Sequence, residues 1–477
     1  MKILIGYPPL KGKGGSALLS QNRQFQWFTN PTYIFPVIPA SAATLLKTKG
    51  YDIQWRDCIA ENVNEEEFFR FLEKEEFNLF IFETKTPVIK QHWKLINKIK
   101  DKFNIKIVLI GDHVTALPEE SFRNSKVDYI LCGGDYDFMA LELVENLTKK
   151  KKLPKGVYYK ENDKIKNTGK FELKHNLDDL PFIDRELCKW RLYQREFNIP
   201  VRPYMYLMSG RDCWWGKCSF CAWPQLYPKF RVRSVKNVLD EIGLLIERYN
   251  VREIFDDSGT LTTGKWMNDL CNGLIERGYN KKIRYSCNMR FGALNLEEYR
   301  LMKKAGFRLL KFGLESANKK TLDRLEKGIK LNDIVEGCKL AKKAGLTVHL
   351  TMILGFPFET KEETLNTYKL TKSLMLNGYA DVLQSTIIVP YPGTKLYYEG
   401  IKNNWFRFEH TEYERYDMRE QVLKTDYDAV KICNKIYKIF INPIYVLRHL
   451  TKIRNLNDVK YTFRGVTAVL GHLKDFS

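Results

Sequence analysis

Three cysteines stand close together in the segment SGRDCWWGKCSFCAWP, where Cys213, Cys218 and Cys221 form a C-x4-C-x2-C pattern. Thiolates are the soft ligands that iron–sulfur clusters and zinc prefer. A structural zinc site has four Cys or His ligands, yet residues 189–212 and 222–270 contain neither residue type. The pattern therefore favours a catalytic iron–sulfur cluster with one iron open to a substrate or cofactor. A zinc site and three unrelated thiols are the alternatives.

Composition and charge limit the class of protein. A chain of 477 residues with 44% hydrophobic residues predicts two or three globular domains. The apolar run in the first segment, MKILIGYPP, is too short for a secretory signal, and no apolar run in the chain is long enough for a membrane span. We expect a cytoplasmic protein without a transmembrane segment. Its seven isolated cysteines are then small buried residues.

The net charge of +21 raises the question of an acidic partner. Nucleic acid and an anionic membrane surface both attract basic proteins. Here the charge is spread along the chain, with small blocks at residues 149–152 and in the last 35 residues. We interpret it as a solvated basic surface, and no nucleic-acid partner is expected.

The first 150 residues alternate between predicted strands and predicted helices. The strands are expected at residues 2–6, 51–55, 77–83, 105–110 and 129–132, and the helices at residues 39–49, 65–75, 90–103 and 137–149. Helical crossovers of this length imply a parallel, doubly wound α/β sheet of the Rossmann type. Ligands of such sheets bind beyond the carboxyl ends of the strands, where the loops here are rich in Gly and Pro.

The rest of the chain divides into three predicted regions. Residues 151–200 are a linker with a hairpin, and residues 201–397 resume the alternation. Strands near residues 203–209, 251–255, 283–287, 308–314, 347–353 and 382–388 predict a partial (β/α)6 TIM-type barrel. Residues 398–477 form a basic helical extension. Its helices cap the barrel and shape the substrate pocket, or they contact acidic lipid or carrier partners.

The cysteine loop resembles the signature of the radical S-adenosylmethionine (SAM) superfamily, in which three cysteines hold a 4Fe–4S cluster. The superfamily usually has an aromatic residue before the last cysteine, and Phe220 matches it. The usual spacing is C-x3-C-x2-C, so this chain has one residue more between Cys213 and Cys218. Gly216 gives this longer loop the freedom to absorb the additional residue.

The ends of the later predicted strands resemble the cobalamin-dependent branch of this superfamily. The matching segments are EIFDDSGT, YSCNMRFG, KFGLES, MILGFPFET and VPYPGT. The resemblance implies that SAM is bound by Phe220, Asp257, Ser286, Arg290, Glu315, Gly355 and Pro357. Carboxylates accept from an ammonium or ribose hydroxyls, and an arginine pairs with a carboxylate. Taken singly, a strand-end Asp is more often a helix cap, and Ser286 is equally suited to be a bonded core hydroxyl.

The first domain resembles the cobalamin-binding domain that precedes this branch, through GDHVTALPEE, FPVIPASAATLLKTKGYD and DYILCGGD. The resemblance implies that Gly111, His113, Thr115 and Gly133 contact cobalamin. Many cobalamin domains carry Asp-x-His-x-x-Gly, whose His binds cobalt, whereas Asp112 and His113 are adjacent. We therefore expect cobalamin without a histidine ligand on cobalt, and His113 as a hydrogen-bonding loop residue.

The resemblance implies a class B radical SAM methyltransferase. Such an enzyme forms a 5′-deoxyadenosyl radical and transfers a methyl group from methylcobalamin to an unactivated carbon of a small-molecule substrate. An electron donor such as flavodoxin or ferredoxin is implied as a partner.

Three other functions remain open at this point. The same cofactors also serve a radical cyclisation, rearrangement or ring contraction without methyl transfer. A tRNA-modifying radical SAM enzyme is a second alternative, although relatives that add methylthio groups carry three more cysteines in the first domain. Here that domain has only Cys58 and Cys132. A zinc-bearing binding module without catalysis is the third.

Overall fold

A seven-stranded sheet is built from the first third of the chain in the computed structural model, which describes residues 1–12, 15–19, 25–30, 32–196, 198–451 and 453–476. The strands are β1 (Lys2–Tyr7), β2 (Ser16–Ala17), β3 (Trp27–Phe28), β4 (Asp52–Asp57), β5 (Leu79–Glu83), β6 (Lys106–Ile110), β7 (Tyr129–Leu131), β8 (Val157–Glu161) and β9 (Lys164–Asn167). Their order is β4-β1-β5-β6-β7-β8-β9, while β2 and β3 form a separate antiparallel pair. The first five strands in that order, from β4 to β7, run parallel to one another. β5 is buried throughout, as expected for a sheet covered on both faces.

Six helices accompany this sheet. They are α1 (Val37–Thr48), α2 (Glu65–Glu75), α3 (Ile89–Lys102), α4 (Asp112–Ala116), α5 (Pro118–Asn124) and α6 (Tyr136–Lys149), with short 3-10 turns at Thr86–Val88, Leu177–Asp179 and Trp190–Tyr193. The predicted Rossmann-like alternation is therefore confirmed. The hairpin predicted in the linker is also present, but it pairs antiparallel with β7 and so extends the first sheet.

A second sheet forms the predicted partial barrel. Its strands, with the short pair β11–β12, are β10 (Tyr204–Leu207), β11 (Gly210–Arg211), β12 (Arg231–Val232), β13 (Glu253–Asp256), β14 (Arg284–Met289), β15 (Phe307–Glu315), β16 (Thr347–Leu354) and β17 (Val382–Ile387). The six long strands are parallel and follow the order β10-β13-β14-β15-β16-β17. Because each pairs only with its neighbours in that order, the barrel is open, and the partial (β/α)6 prediction is confirmed.

The barrel helices lie between these strands. They are α7 (Trp223–Leu226), α8 (Val235–Tyr249), α9 (Lys265–Glu276), α10 (Leu296–Lys304), α11 (Lys319–Arg324), α12 (Leu331–Lys343), α13 (Lys361–Leu376) and α14 (Lys395–Lys402), with a 3-10 turn at Tyr279–Lys281. Capping boxes begin α10 at Asn295 and α13 at Thr360, where side chain and backbone satisfy each other's donors.

The C-terminal region is helical over a shorter stretch than predicted. Between α14 and residue 429 the chain is largely irregular, with a 3-10 turn at Tyr413–Arg415 and a bridge between Phe406 and Leu423. Gln421 satisfies the backbone there, since its side chain donates to Leu423 O and accepts from Ala429 N. The helices then follow as α15 (Ala429–Tyr437), α16 (Pro443–Leu450) and α17 (Leu456–Asp475), with a 3-10 turn at Lys438–Ile441.

Helices α16 and α17 pack beside the amino ends of the barrel strands. Tyr445 donates its hydroxyl hydrogen to Asp381 O, just before β17, at 2.8 Å. Arg464 donates to Pro200 O, just before β10, at 3.3 Å. They therefore cap the end of the barrel opposite to the carboxyl ends of its strands. In the described part of the chain, no helix combines the length and apolar character needed to cross a bilayer.

Candidate active site

The loop after β10 brings the three cysteines to one cavity of about 210 Å³. Cys213, Cys218 and Cys221 line it, half-buried and in no disulfide. The opposite walls come from the carboxyl ends of the barrel strands, which supply Asp257, Asn288, Arg290, Glu315, Thr351 and Ile388. This is the end at which barrel enzymes carry their catalytic groups.

Two tryptophans fix the longer spacer between the first two cysteines. The indole N–H of Trp214 donates to Leu261 O at 3.1 Å, and that of Trp215 donates to Glu326 O at 2.8 Å. Gly216 then has a φ of 59°, in the left-handed region that favours glycine. The additional residue is thus absorbed in a loop anchored on two neighbouring loops.

Two cations and one carboxylate, Glu315, lie near the thiol of Cys218. Burial raises the pKa of this thiol, while Lys327 and Arg290 act to lower it. Lys327 donates to Glu315 Oε1 at 2.6 Å, and Arg290 donates to Lys327 O. The cavity therefore offers anionic sulfur two nearby cations, as a site for thiolate ligands requires.

The donor set suits a cluster better than a single ion. Within the described ranges, no three His, Cys, Asp or Glu side chains converge closely enough to hold one metal ion. A 4Fe–4S cluster binds its thiolates on separate irons, so its ligands need no such convergence. The alternative of a zinc site finds no ligand set among these residues.

Four of the seven residues predicted to bind SAM line the cavity, namely Phe220, Asp257, Arg290 and Glu315. Ser286, Gly355 and Pro357 are not among its lining residues. Ser286 is fully buried and donates to Glu253 Oε1 at 2.8 Å. It lies deeper in the barrel than Asn288 and acts there as a core hydroxyl.

Sequence reasoning missed several residues of the cavity. Lys327 follows α11 and belongs to none of the strand-end segments, so only the folded structure shows that it lines the cavity. Asn288 belongs to the strand-end segment YSCNMRFG that the sequence analysis singled out, but no SAM contact was assigned to it there. Tyr391 and Met418 close the cavity from segments after the barrel.

A buried ion-pair network joins the cysteine loop to the first domain. Arg211, two residues before Cys213, donates to Asp135 Oδ1 at 3.1 Å and to Asp137 Oδ1 at 3.0 Å. Arg231 also donates to Asp135 Oδ2, at 2.6 Å. Because Asp135 and Asp137 follow β7, this network holds the start of the cysteine loop against the carboxyl edge of the first sheet.

At that edge, the residues predicted to contact cobalamin meet one another. Thr115 donates to Gly111 O at 2.7 Å and accepts from Gly133 N at 3.0 Å. Gly111 has a φ of 124°, and a Cβ there would lie 2.3 Å from Thr84 O, so no other residue fits. The three residues thus hold the loops after β6 and β7 together.

Both ring nitrogens of His113 have hydrogen-bond partners within the chain. Its ring is fully buried, with Nδ1 3.2 Å from Thr86 Oγ1 and Nε2 3.2 Å from Glu120 Oε2. The ring of Tyr413 packs against it at 4.9 Å between centroids. This is the hydrogen-bonding role that we expected from the sequence. Because both ring nitrogens have partners, His113 has no free nitrogen for the predicted contact with cobalamin.

Ionisable side chains are buried along the same edge. Tyr7 donates to Glu83 Oε2 at 2.5 Å, and burial raises the pKa of Glu83 to about 7. Burial also raises the pKa of Asp112, and Lys85 is buried nearby. Such a polar, sheltered edge is where an α/β sheet of this type receives a ligand.

Known proteins resemble this chain in sequence. Residues 208–371 match the model of the radical SAM superfamily. A protein of Pyrococcus horikoshii named as an uncharacterized methyltransferase is 27% identical over 480 residues, which cover 98% of each chain. The anaerobic magnesium-protoporphyrin IX monomethyl ester cyclase of Cereibacter sphaeroides is 23% identical, over 88% of this chain and 64% of its own.

Solved structures share the fold. The cobalamin-dependent SAM radical enzyme OxsB, with aqua-cobalamin and SAM bound, superposes with a TM-score of 0.70 at 14% identity, over 99% of this chain and 71% of its own. The radical SAM methyltransferase TsrM from Kitasatospora setae gives 0.63 at 15% identity, over 83% and 74%. The chain is therefore an enzyme that carries a radical SAM domain at residues 208–371, with a Rossmann-like domain before it.

Proposed function

We propose that the chain is a cobalamin-dependent methyltransferase that methylates an unactivated carbon of a small molecule. The observation that carries this proposal is that three thiols and the polar ends of four barrel strands face one cavity. The methyltransferase name of the Pyrococcus horikoshii relative supports the reaction class. TsrM, a methyltransferase of the same fold, supports it as well.

Cys213, Cys218 and Cys221 are proposed to hold a 4Fe–4S cluster. When bound, the cluster supplies the electron that cleaves SAM to methionine and a 5′-deoxyadenosyl group. Lys327 and Arg290 stabilise the negative charge of the thiolate ligands from the same wall. An electron donor such as flavodoxin or ferredoxin is the proposed source of that electron.

The cavity walls hold SAM in this proposal. The ion pair of Glu315 with Lys327 presents both charges needed to receive an ammonium and a carboxylate. Asp257 and Asn288 offer acceptors and a donor for ribose hydroxyls. Phe220, between the last two cysteines, supplies an apolar face for the adenine.

Cobalamin is proposed to bind where the carboxyl edge of the first sheet faces the barrel. The hydroxyls, amides and buried ionisable groups of the loops after β5 and β6 suit its amide-rich periphery and its phosphate. When bound, cobalamin supplies the methyl group. His113 would offer no free ring nitrogen to bound cobalamin, since both nitrogens have hydrogen-bond partners within the chain.

Anaerobic reconstitution tests the proposal. The chain is loaded with iron, sulfide and cobalamin, reduced, and supplied with SAM carrying a deuterated methyl group and with candidate substrates. We expect 5′-deoxyadenosine, S-adenosylhomocysteine and a product heavier by one labelled methyl group. Cys218→Ala removes both the cluster absorption and 5′-deoxyadenosine, whereas the matched control Cys271→Ala, a buried cysteine of α9, keeps both.

Other outcomes separate the alternatives. 5′-Deoxyadenosine without S-adenosylhomocysteine would replace methylation by a cyclisation, rearrangement or ring contraction. A modified tRNA nucleoside would move the substrate class to nucleic acid. Full 5′-deoxyadenosine release by Cys218→Ala would overturn the cluster site itself.

A further inference from the structure

The last two helices carry most of the exposed large hydrophobic side chains of the described residues. Ten of the thirteen such side chains lie between residues 441 and 470. On α17 they recur every three or four residues and so form one stripe along the helix. The stripe consists of Leu456, Val459, Phe463, Val466 and Leu470. The apolar face consists of this stripe together with Ile441, Ile444, Val446, Leu447 and Leu450.

The apolar face is turned to solvent in the isolated chain. Leu447 is 64% exposed, Phe463 69% and Leu456 78%. An exposed apolar surface of this kind on a globular protein marks a docking site for a partner or a membrane. Its occupant can be inferred from the charges beside it.

Those charges are basic. Residues 438–477 contain seven Lys and Arg but only two acids. Asp475 is buried and accepts from Thr29 N, while Asp458 accepts from Arg454 N at the start of α17. A second copy of this face would therefore bring like charges together, whereas an anionic lipid surface is complementary to it.

A basic cavity of about 500 Å³ lies between these helices and the amino ends of the barrel strands. Arg284, Lys303 and Arg308 line it. Arg308 pairs with Glu253, but Arg284 and Lys303 have no ion-pair partner among the described residues. Burial lowers the pKa of Lys303, and the neighbouring cations Arg284, Lys342 and Arg308 lower it further. Asp381 and Asp458 also line the cavity, but Asp381 pairs with Lys342 and Asp458 accepts from Arg454 N, so Arg284 and Lys303 are left to receive a phosphate.

A mainly apolar cavity of about 230 Å³ lies directly beside the basic one. The two share Val382, His449, Tyr461 and Thr462 on their walls. A cavity lined by cations that adjoins an apolar cavity has the form of a site for an anionic amphiphile. The apolar side is lined by members of the apolar face, among them Leu450 and Val466.

We propose that α16 and α17 attach the enzyme to the surface of an anionic bilayer. The apolar face enters the headgroup region, and the basic cavity receives the phosphate of one lipid. The helices lie in the interface, since neither is long and apolar enough to span it. This attachment goes beyond the proposed reaction and does not depend on it, because none of its residues lines the cysteine cavity.

Vesicle flotation of the full chain tests the attachment. We expect binding to phosphatidylcholine vesicles that contain phosphatidylglycerol, little binding to phosphatidylcholine alone, and weaker binding as salt increases. Leu447→Glu and Phe463→Glu should each lower binding to anionic vesicles roughly tenfold, since each removes one apolar side chain from the lipid. Lys303→Glu should lower binding to the same vesicles, although it leaves the apolar face intact.

The matched control is Tyr398→Glu on α14, which is 53% exposed but lies off the apolar face, and it should bind like the wild type. Unchanged binding of Phe463→Glu, or equal binding to neutral and anionic vesicles, would refute the proposal. So would a dimer in solution that Phe463→Glu converts to monomer without any vesicle binding, because the face would then belong to a second copy. Thermal unfolding of each variant checks that the fold is retained.

Discussion

The guanidinium carbon of Arg290 lies 3.9 Å from the centre of the indole ring of Trp215. Trp215 belongs to the longer spacer between the first two cysteines, and Arg290 follows β14. The stacking couples the cysteine loop to a strand end on the opposite wall of the cavity. The one-residue departure from the usual spacing therefore coincides with a specific cation–π contact across the candidate site.

Removing this contact should loosen the cysteine loop. In Trp215→Leu both the stacking on Arg290 and the hydrogen bond to Glu326 O are lost. We expect iron incorporation and SAM cleavage to fall about tenfold, since the two contacts together are worth on the order of 1–2 kcal/mol. Trp215→Phe keeps a ring and should lose less. The matched control is Trp266→Leu on α9, whose indole bonds Arg233 O outside the cavity.

Iron content and the absorption of the cluster are the measurements for these variants. Equal iron content in Trp215→Leu and Trp266→Leu would show that the spacer contact does not position the cluster ligands. A loss in Trp215→Leu confined to SAM affinity would instead assign Trp215 to SAM binding.

The charges beside Cys218 predict opposite effects of two substitutions on its thiol. Lys327 acts to lower the pKa of Cys218, and Glu315 acts to raise it. Lys327→Met should therefore raise this pKa and slow alkylation of the cluster-free protein at neutral pH, whereas Glu315→Gln should lower it and speed alkylation. A shift of about one pKa unit corresponds to a roughly tenfold change in thiolate population. Mass spectrometry after timed iodoacetamide treatment measures the rate at Cys218, and changes of the same sign in both variants would contradict the assignment.

The strands and the group of three cysteines were predictable from the sequence, because the alternation of strands and helices and the spacing of ligands are local patterns of neighbouring residues. The position of Lys327 was not predictable, since it reaches the cavity from a loop after α11 through folding alone. Ser286 shows the converse. It occupies the strand-end segment that the resemblance indicated, yet register places it one step deeper, where Glu253 accepts its hydrogen bond.

The two domains should separate more easily when Arg211 is replaced. Arg211→Leu leaves Asp135 and Asp137 buried with one cation fewer, and breaking a buried network of this kind costs about 3–5 kcal/mol. We expect the midpoint of urea unfolding to fall accordingly, and the cluster loop to become sensitive to proteolysis. Arg300→Leu, which breaks an exposed pair with Glu297, should change stability by less than about 1 kcal/mol. Similar losses in both variants would rule out a joining role for Arg211.

His175 adds a pH dependence to the same network. Its ring stacks on Phe138 at 4.2 Å, with Nε2 3.3 Å from Glu142 Oε1 and Nδ1 3.7 Å from Asp135 Oδ2. Burial lowers its pKa, but Asp135 and Glu142 outweigh that effect and raise it from 6.5 to about 9. His175 is therefore charged in the folded protein at neutral pH, and largely neutral in the unfolded chain.

Because the folded pKa of His175 lies above the unfolded value, its stabilisation is fully present below pH 6.5 and is lost as the pH rises through about 9. His175→Gln should be less stable than the wild type by on the order of 1 kcal/mol near pH 6, since the half-buried ring is partly screened by water. Above about pH 9 the difference should vanish, because the wild-type ring is then neutral as well. Urea unfolding of both proteins across this range measures it. A difference that stays constant with pH would mean that His175 acts through its stacking on Phe138 and not through its charge.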